Sequence, residues 1–459
     1  MKKVEFSTRE PIGSSTYPMP SDVVDHECYR KMLSGLPLQQ DKTATLYIHI
    51  PFCDQLCSFC GFNKFVSTND RKEEYIKALL IEMELYSNYE YTSSLDIQAV
   101  YIGGGTPNSL SPDQLDTILT AMHKFLPLSK NCEITCEGTP QNFTSDRISV
   151  LKGHNVSRVS AGIQTLDKKI RDVHLNMKNG EEELTKFVHN IANNFNSFNL
   201  DFIYNLPYQT MDIWNKDLDF AFSSGSTHLT IYPLVLLERT AFYSDYVLKN
   251  KYEPPRQDME LEFFYQTQER ISKTEYKSYT VRDWAKEGKE CKYIKLNAEC
   301  NQVLALGAGA HGYVGGITYR NIKNLDTYAE LLLSKKTFPL DGYRIASDQE
   351  KMERFMVMGL RKYSLNMEEF NTKFNTKWQE IFGEKLYNLE YSEYLQIKDN
   401  IVTYTPLGHV WANNIRTYFE SEKGKSVGYS DSLGIGETGK DHYSKISRVK
   451  ASADVEAVK

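Results

Sequence analysis

The sequence has no long apolar run. Among its 459 residues there is no stretch of about 18 consecutive apolar residues, the length that a membrane-spanning helix needs. The two lysines near its start are not followed by the apolar core of a signal peptide. We therefore expect a protein that neither spans a membrane nor carries a signal peptide, and that works in the cytoplasm.

The sequence also has no excess of positive charge. Lys and Arg number 54 against 60 Asp and Glu, which gives a formal net charge of −6. Proteins that bind nucleic acid or anionic membranes by electrostatic attraction need an excess of positive charge. The composition therefore predicts neither nucleic acid nor a membrane as a partner.

The sequence has eight cysteines, and their positions are compatible with one metal site. Cys53, Cys57 and Cys60 stand close together in the chain. Cys132 and Cys136 lie on a predicted strand, which separates them by about 13 Å, so they cannot both bind one metal ion. Disulfides are rare in cytosolic proteins. We interpret the five cysteines outside the close group as core or structural thiols.

From Ala44 to residue 345 the sequence alternates between strand-like and helix-like patterns. Strand-like segments are predicted at 43–50, 97–102, 133–137, 158–161, 199–204 and 228–234. This alternation is typical of βαβ units with a parallel sheet. The predicted α/β fold is a closed or partly closed (β/α) barrel, with a doubly wound open sheet as the alternative. In either fold the loops after the strands carry the site.

The remaining chain divides into three parts. Residues 1–43 are polar and predict an N-terminal arm before a barrel at 44–345. Residues 346–420 combine helical patterns with a short β-like pair, which indicates a small helix-rich, winged-helix-like domain that serves as a lid or docking domain. Residues 421–459 are rich in Ser, Gly and Lys and predict a disordered tail.

The close group of cysteines has the spacing C-x3-C-x2-C in a loop after the first predicted strand. Three thiolates can bind three irons of a [4Fe–4S] cubane and leave the fourth iron open. S-adenosylmethionine (SAM) can chelate that iron, and an electron from the cluster then cleaves its S–C5′ bond to a deoxyadenosyl radical. We predict Cys53, Cys57 and Cys60 as cluster ligands and catalytic centre. Zinc, which prefers four ligands, and three buried thiols are the alternatives.

Other loops carry residues suited to ligand contact. In GGGTP (103–107) the glycines let backbone approach a ligand such as the SAM amino group, although a bare glycine turn explains the run equally well. Glu137 ends a strand-like segment and is a ligand contact or a solvated charge. Gln164 follows RVSAGI and Asp201 begins DFIYNLP, and each is a polar contact on the barrel rim or a loop residue. We expect His49 and His311 to be hydrogen-bonded structural histidines, although His311 lies in the small-residue loop GAGAHG.

Seven motifs in this order resemble oxygen-independent coproporphyrinogen oxidase and its radical SAM relatives: YIHIPFC (47–53), the cysteine loop, GGGTP, Glu137, RVSAGIQ, DFIYNLPYQT and GAGAHGY. The resemblance covers residues 44–420 and implies a partial (β/α)6 barrel with two SAM molecules near one cluster. Carried over by position, the implied SAM contacts are Tyr47, Gly104, Gly105, Thr106, Glu137, Gln164 and Asp201, with Ala310 and His311 at the second SAM. Phe59, suited to the adenine, and Phe62 are further predicted cofactor contacts.

Details of the motifs point to one branch of this family. Phe62 stands where the decarboxylating oxidase usually has another Cys, and residues 279–295 lack the His-Asn and Tyr-Trp motif of the heme chaperones. Cys-Gly-Phe most resembles the heme-degrading methyltransferases (anaerobilin synthases). Two departures mark a divergent member: Asn176 stands near the place of a usual Arg, and Asn205 replaces a usual Gly.

The function that this resemblance implies is C-methylation of heme under anaerobic conditions, followed by opening of the porphyrin ring and release of iron. Heme or another tetrapyrrole is then the expected substrate, and a flavodoxin- or ferredoxin-type protein the expected electron donor. The alternatives are coproporphyrinogen III decarboxylation, a heme chaperone, and a C-methyltransferase or cyclopropanase acting on a metabolite that is not a tetrapyrrole.

Overall fold

The computed structural model describes residues 1–424 except 11, 14, 22, 23, 239, 254 and 423. The predicted tail therefore lies outside the described residues, apart from 421, 422 and 424. No helix in the described part of the chain is both long enough and apolar enough to cross a membrane.

Twelve strands form one main sheet: β1 (Thr43–Ile50), β2 (Asp96–Gly104), β3 (Leu128–Gly138), β4 (Arg158–Gln164), β5 (Phe198–Tyr204), β6 (His228–Pro233), β7 (Lys277–Ser278), β8 (Asp283–Ala285), β9 (Gln302–Leu306), β10 (His311–Val314), β11 (Ile317–Asn321) and β12 (Leu340–Ile345). Their order is β12-β11-β10-β9-β1-β2-β3-β4-β5-β6-β8-β7. From β9 through β1 to β6 the neighbours are parallel. β1 to β6 follow in chain order without the reversal of a doubly wound sheet, and within the described residues β12 and β7 do not pair. This confirms the predicted partial barrel.

Eleven helices belong to the barrel part: α1 (His26–Ser34), α2 (Asn69–Ser87), α3 (Glu90–Ser93), α4 (Pro112–Phe125), α5 (Ser145–Gly153), α6 (Glu181–Asn194), α7 (Met211–Ser223), α8 (Ala241–Tyr243), α9 (Gln257–Ile271), α10 (Lys292–Ala298) and α11 (Leu325–Ala329). Short 3₁₀ or π turns lie at Pro107–Ser109, Pro140–Asn142, Ile170–Leu175, Ser244–Leu248 and Glu330–Ser334. Local sequence fixes some of these bounds. Ser111 accepts the amide of Gln114, whose side chain bonds back in a capping box, and Pro112 occupies the first turn of α4.

Helix α10 lies against the amino ends of the strands. The Thr45 hydroxyl at the start of β1 donates to Asn297 Oδ1 of α10 (2.8 Å). The amide of Lys292 donates to Glu133 Oε1 of β3 (2.8 Å). Because α10 covers this end, a ligand must reach the concave face of the sheet from the carboxyl ends of the strands.

The C-terminal part contains five helices, α12 (Asp348–Gly359), α13 (Met367–Phe374), α14 (Trp378–Tyr391), α15 (Pro406–Val410) and α16 (Ala412–Thr417). They pack with an antiparallel sheet in the order β13 (Ser364–Asn366), β15 (Ile401–Tyr404), β14 (Leu395–Lys398). This apolar core is separate from that of the barrel. The prediction of a helix-rich C-terminal region with a β-like pair is confirmed.

The N-terminal arm is packed where the barrel meets the C-terminal part. Arg9 forms a buried ion pair with Glu260 of α9, and its Nε donates to the carbonyl of Val410 in α15 (2.7 Å). The Tyr17 hydroxyl donates to Glu353 of α12. The arm thus holds the two parts together.

The Arg9 ion pair gives a stability prediction. Arg9→Ala removes the cation that faces the buried Glu260 carboxylate, which costs about 3–5 kcal/mol in free energy of unfolding. Arg71→Ala is the control, because its ion pair with Asp326 is exposed and contributes at most about 1 kcal/mol. Urea unfolding of both variants measures the difference, and equal losses would contradict the bridging role of Arg9.

Candidate metal centre

The three close cysteines lie in a loop whose two ends are tied together. The Cys53 amide donates to the carbonyl of Phe65 (3.0 Å), and the Phe65 amide donates to the carbonyl of Pro51 (2.7 Å). Within the loop the Cys60 amide donates to the carbonyl of Cys57 (3.4 Å). The loop leaves β1 at its carboxyl end, where the sequence predicts the site.

The three thiols lie near one another, because Cys53 and Cys60 are among the groups that affect the pKa of Cys57. Burial raises the pKa of Cys53 to about 11 and that of Cys57 to about 12, and binding to a cationic metal centre would favour their thiolate forms. Three thiolates can each bind a different iron of a cubane. Among the described residues no group of three His, Cys, Asp or Glu side chains is arranged to hold a single metal ion.

Donors and positive charge surround the cysteine loop. The Thr106 hydroxyl donates to Cys53 Sγ (3.3 Å), and Lys64 Nζ donates to the carbonyl of Cys60. Burial lowers the pKa of the Arg171 guanidinium to about 10, and the nearby Cys57 acts in the opposite direction. Such groups offset the negative charge of a thiolate-bound cluster. Sequence reasoning missed Lys64 and Arg171; the proximity of Lys64 to Cys60 in the chain was the available signal.

The glycine run is packed against the backbone that leads into the cysteine loop. The Gly105 amide donates to the carbonyl of Ile50 (2.8 Å), and the Thr106 amide donates to that of Phe52 (2.7 Å). A Cβ at Gly105 would lie 2.7 Å from the Phe52 oxygen, and Gly104 has a left-handed φ of +113°. These amides donate to carbonyl groups of the protein, so the glycines have a packing role whether or not they also touch SAM.

Two carboxyl groups approach each other on the concave face. Glu137 accepts the amide of Gly104, and its Oε2 lies only 2.6 Å from where a Cβ of Gly103 would be. Burial and the nearby charge of Asp201 raise the pKa of Glu137 to about 8. Burial also raises the pKa of Asp201 to about 6, while Asn199 Nδ2 donates to its Oδ1 (2.6 Å). A positively charged ligand group nearby would favour the ionised forms of both carboxyl groups.

Gln164 supplies a buried acceptor at the end of β4. Its backbone is left-handed (φ +68°), and its amide is folded back over Gly162, where a Cβ would meet Nε2 at 2.3 Å. Its Oε1 has no hydrogen-bond partner among the described residues. Buried polar atoms are rarely left unpaired, so this oxygen fits a hydrogen-bond donor of a ligand.

His49 has the structural role that the sequence predicts. The Tyr47 hydroxyl donates to His49 Nδ1 (3.1 Å), and His49 Nε2 donates to the carbonyl of Asn63 (2.8 Å) in this tautomer. Burial lowers the pKa of His49 to about 4, so its ring is neutral. This chain of bonds fixes the predicted SAM contact Tyr47 beside the end of the cysteine loop.

The small-residue loop at 307–311 lies against the cysteine loop as well. Glu82 Oε2 of α2 accepts the amide of Gly307 (2.8 Å). Asn63, three residues past the last cluster cysteine, donates through Nδ2 to the carbonyl of Ala308 (3.0 Å). Ala310 is buried and His311 is half-buried at the start of β10. Tertiary structure thus brings the predicted second-SAM residues next to the cysteine loop.

The two phenylalanines of the loop differ in their surroundings. Phe59 packs against an apolar cluster that includes Leu175, Leu234 and Phe242 from the segments after β4 and β6. Phe62 is 54% exposed. Phe59 therefore forms part of an apolar wall beside the cysteines, whereas Phe62 faces outward.

Sequence reasoning named Tyr47 but missed the nearby Tyr101, Tyr232 and Tyr293. The rings of Tyr101 and Tyr293 lie 5.2 Å apart, and Tyr47 is 6.5 Å from Tyr293. Burial raises the pKa of Tyr101 and of Tyr232 well above its ordinary value, with Asp201 and Glu137 among the further causes. Only the high aromatic content, 22 Phe and 30 Tyr, hinted at such a lining.

Comparison with known proteins matches these features. Residues 47–221 match the radical SAM superfamily, and residues 346–411 match the HemN C-terminal domain. The heme chaperone HemW of Bacillus subtilis (strain 168) is 28% identical over 378 residues, 82% of this chain and 99% of the relative. An anaerobilin synthase of Escherichia coli O157:H7 is 30% identical over 295 residues, 63% of this chain and 65% of the relative.

The fold has a solved counterpart. Coproporphyrinogen III oxidase (HemN) from Escherichia coli, described as a radical SAM enzyme, aligns with a TM-score of 0.77 at 20% identity. The alignment covers 91% of this chain and 97% of that chain. At this level of identity the likeness concerns the fold.

The cysteine assignment can be tested by metal content. After anaerobic reconstitution, we expect the wild type to retain close to four irons and four sulfides, because three thiolates hold a [4Fe–4S] cubane. Cys57→Ser should lose most of the bound iron and sulfide, whereas the control Cys132→Ser, on β3 away from the loop, should retain both. Retention of the full cluster by Cys57→Ser would contradict the assignment.

Proposed function

We propose that this chain, which belongs to the radical SAM superfamily and carries a HemN C-terminal domain, is a C-methyltransferase that degrades heme anaerobically, opens the porphyrin ring and releases iron. The observation that carries the proposal is its likeness to an anaerobilin synthase, 30% identical over 295 residues. Phe62 supports it, because the decarboxylating branch usually has a cysteine at that place.

A heme chaperone is the second candidate. The observation that favours it is the extent of the likeness to HemW, which covers 82% of this chain and 99% of that relative. Against it stands the segment 279–295, which lacks the His-Asn and Tyr-Trp motif usual in that branch. The two candidates differ in outcome, because a chaperone binds heme without consuming it.

The residues of the site fit the group that members of this superfamily use, a [4Fe–4S] cluster with SAM. Cys53, Cys57 and Cys60 would hold the cluster. When bound, this pair supplies reductive cleavage of SAM to methionine and a deoxyadenosyl radical. The proposed SAM contacts remain Tyr47, Phe59, Phe62, Gly104, Gly105, Thr106, Glu137, Gln164 and Asp201, with Ala310 and His311 for the second SAM.

The protein's own residues would bind SAM and orient it. Glu137 and Asp201 offer negative charge to the cationic SAM, and Gln164 Oε1 offers a free acceptor for an ammonium or hydroxyl group. The apolar wall that includes Phe59 keeps water from one side of the cysteine loop. Because α10 closes the amino ends of the strands, substrate would enter at the carboxyl ends.

SAM binding should depend on pH. The pKa values of about 8 for Glu137 and about 6 for Asp201 mean that each group is mainly protonated below its value in the free site. A cationic ligand binds the ionised forms better, so affinity for SAM should rise as the pH increases from about 6 to about 8 and then level off. Anaerobic calorimetry measures this dependence.

Glu137→Gln should weaken SAM binding and flatten its pH dependence, since one of the two titrating carboxyl groups is removed. The control is Glu181→Gln, on the exposed first turn of α6. An unchanged pH profile in Glu137→Gln would remove Glu137 from the proposed SAM contacts.

Turnover separates the candidate functions. We expect holoenzyme with dithionite, SAM and heme to form deoxyadenosine and S-adenosylhomocysteine while the heme Soret band bleaches. Dithionite stands in for the proposed flavodoxin- or ferredoxin-type donor. Stable heme binding without either nucleoside product would favour the chaperone, and carbon dioxide release from coproporphyrinogen would favour the decarboxylase. If deoxyadenosine forms while heme persists, the heme proposal fails.

A further inference from the structure

Large apolar side chains are exposed around the cysteine loop. Leu56 is 42% exposed, Val173 56%, Tyr208 60% and Leu248 61%. Each belongs to a segment at the carboxyl ends of the strands: the cysteine loop after β1, or the segments after β4, β5 and β6. Exposed apolar side chains are unremarkable singly, but a group of them at a site entrance indicates a binding surface.

These segments meet at the cysteine loop. The Ser58 amide donates to the carbonyl of Leu175 (3.2 Å), and the Phe242 amide donates to the carbonyl of Ser58 (3.0 Å). Asn176 Nδ2 donates to the carbonyl of Leu56 (2.9 Å). Hydrogen bonds thus draw the chain after β4 and after β6 onto the loop of the cluster ligands, so their outer surface adjoins the site.

Two tyrosine rings at the centre of this surface pack around the buried His174. His174 stacks on Tyr208, with ring centroids 5.1 Å apart and an interplanar angle of 26°, and meets Tyr252 edge-on at 4.9 Å. The buried Tyr246 fixes the histidine, because its hydroxyl lies 2.8 Å from His174 Nδ1. We call Tyr208 and Tyr252 the aromatic platform.

The backbone under Tyr208 is strained. Its φ is +62°, in the left-handed region that residues with bulky side chains rarely adopt. The turn around it accounts for this conformation, because the Gln209 amide donates to the carbonyl of Leu206 (3.0 Å) and Tyr208 is the second central residue of that turn. The turn holds a largely exposed ring at the surface.

Positive charge flanks the platform. Burial lowers the pKa of His174, the charges of Lys169 and Lys251 lower it further, and that of Asp167 raises it. Lys251 Nζ lies 5.0 Å from the centroid of Tyr252. Asp245 is 3.4 Å from Lys251 and also pairs with Lys249, so the three lysines exceed the two carboxylates by one charge.

We propose that the aromatic platform binds one face of heme, with Lys169 and Lys251 facing its two carboxylates. The inference rests on the proposed function, which makes a tetrapyrrole the substrate. Heme is flat, largely apolar and doubly anionic at its edge, and the surface offers the exposed ring of Tyr208, apolar neighbours and cations to match. The position beside the cysteine loop would bring the macrocycle to the entrance of the barrel.

Heme binding is measured on the cluster-loaded holoenzyme without SAM or reductant, so no turnover is needed. Quenching of protein fluorescence by ferric heme gives the dissociation constant. Tyr208→Ser should raise it about three- to tenfold, as expected for the loss of one aromatic contact. Tyr265→Ser is the matched control, because Tyr265 is 55% exposed on α9 and lies outside the platform.

The carboxylate contacts are tested in the same assay. Lys169→Glu combined with Lys251→Glu should weaken heme binding on the order of tenfold, whereas Lys77→Glu on the exposed face of α2 should leave it unchanged. In turnover, the Tyr208 variant should show a higher KM for heme with kcat nearly unchanged, since stacking in the free site contributes uniform binding.

Each result decides a separate question. If wild-type protein binds heme but Tyr208→Ser and the lysine variant bind it equally well, the platform proposal fails while the proposed function stands. If these variants change only the rate of reduction by a protein electron carrier, the surface belongs to that carrier and the proposal is overturned. If wild-type protein neither binds nor consumes heme, the proposed function fails with it.

Discussion

The site depends on how the chain after β1 is held against the end of β2. Backbone bonds from Gly105 and Thr106 to Ile50 and Phe52 fix the approach to the first cysteine, and the Thr106 hydroxyl reaches its sulfur. This contact is so close that a Cβ at Gly105 would collide with the Phe52 backbone. Since the cysteine loop also closes on itself through Phe65, the geometry of the thiols follows from backbone bonding rather than from side-chain packing.

The open barrel gives that loop its surroundings. Helix α10 lies against the amino ends of the strands, and the cysteine loop lies at the opposite edge. There the segments after β4 and β6 bond to Ser58, and the loop at 307–311 bonds to Asn63. Three stretches of chain far apart in sequence are therefore bonded to one loop. A ligand that moves the cysteine loop would therefore also shift the proposed SAM contacts and the aromatic platform.

Two buried carboxyl groups and a buried amide oxygen inside the barrel favour the binding of a cation. Burial raises the pKa values of Glu137 and Asp201, the charge of Asp201 raises that of Glu137 further, and Gln164 adds a buried oxygen without a donor among the described residues. In a folded protein such groups are costly unless a ligand compensates them. The similar proteins include a heme chaperone and an anaerobilin synthase. Whether the proposed substrate is consumed or only bound separates the two candidate functions.

The sequence by itself predicted the cluster ligands, and it determined the alternation of strands and helices and the helix-rich C-terminal region. These are local properties: thiol spacing, hydrophobic period and capping residues act within a few residues of each other. It also indicated that the cysteine loop, the glycine run and Glu137 lie at one edge, because parallel strands share their carboxyl ends. Only the tertiary structure decided that Arg171 lies by Cys57, that α10 closes the barrel, that Arg9 joins its two parts and that His174 stacks on Tyr208. Each of these contacts joins residues whose proximity depends on the curvature of the sheet and the path of long loops, and no local pattern encodes either.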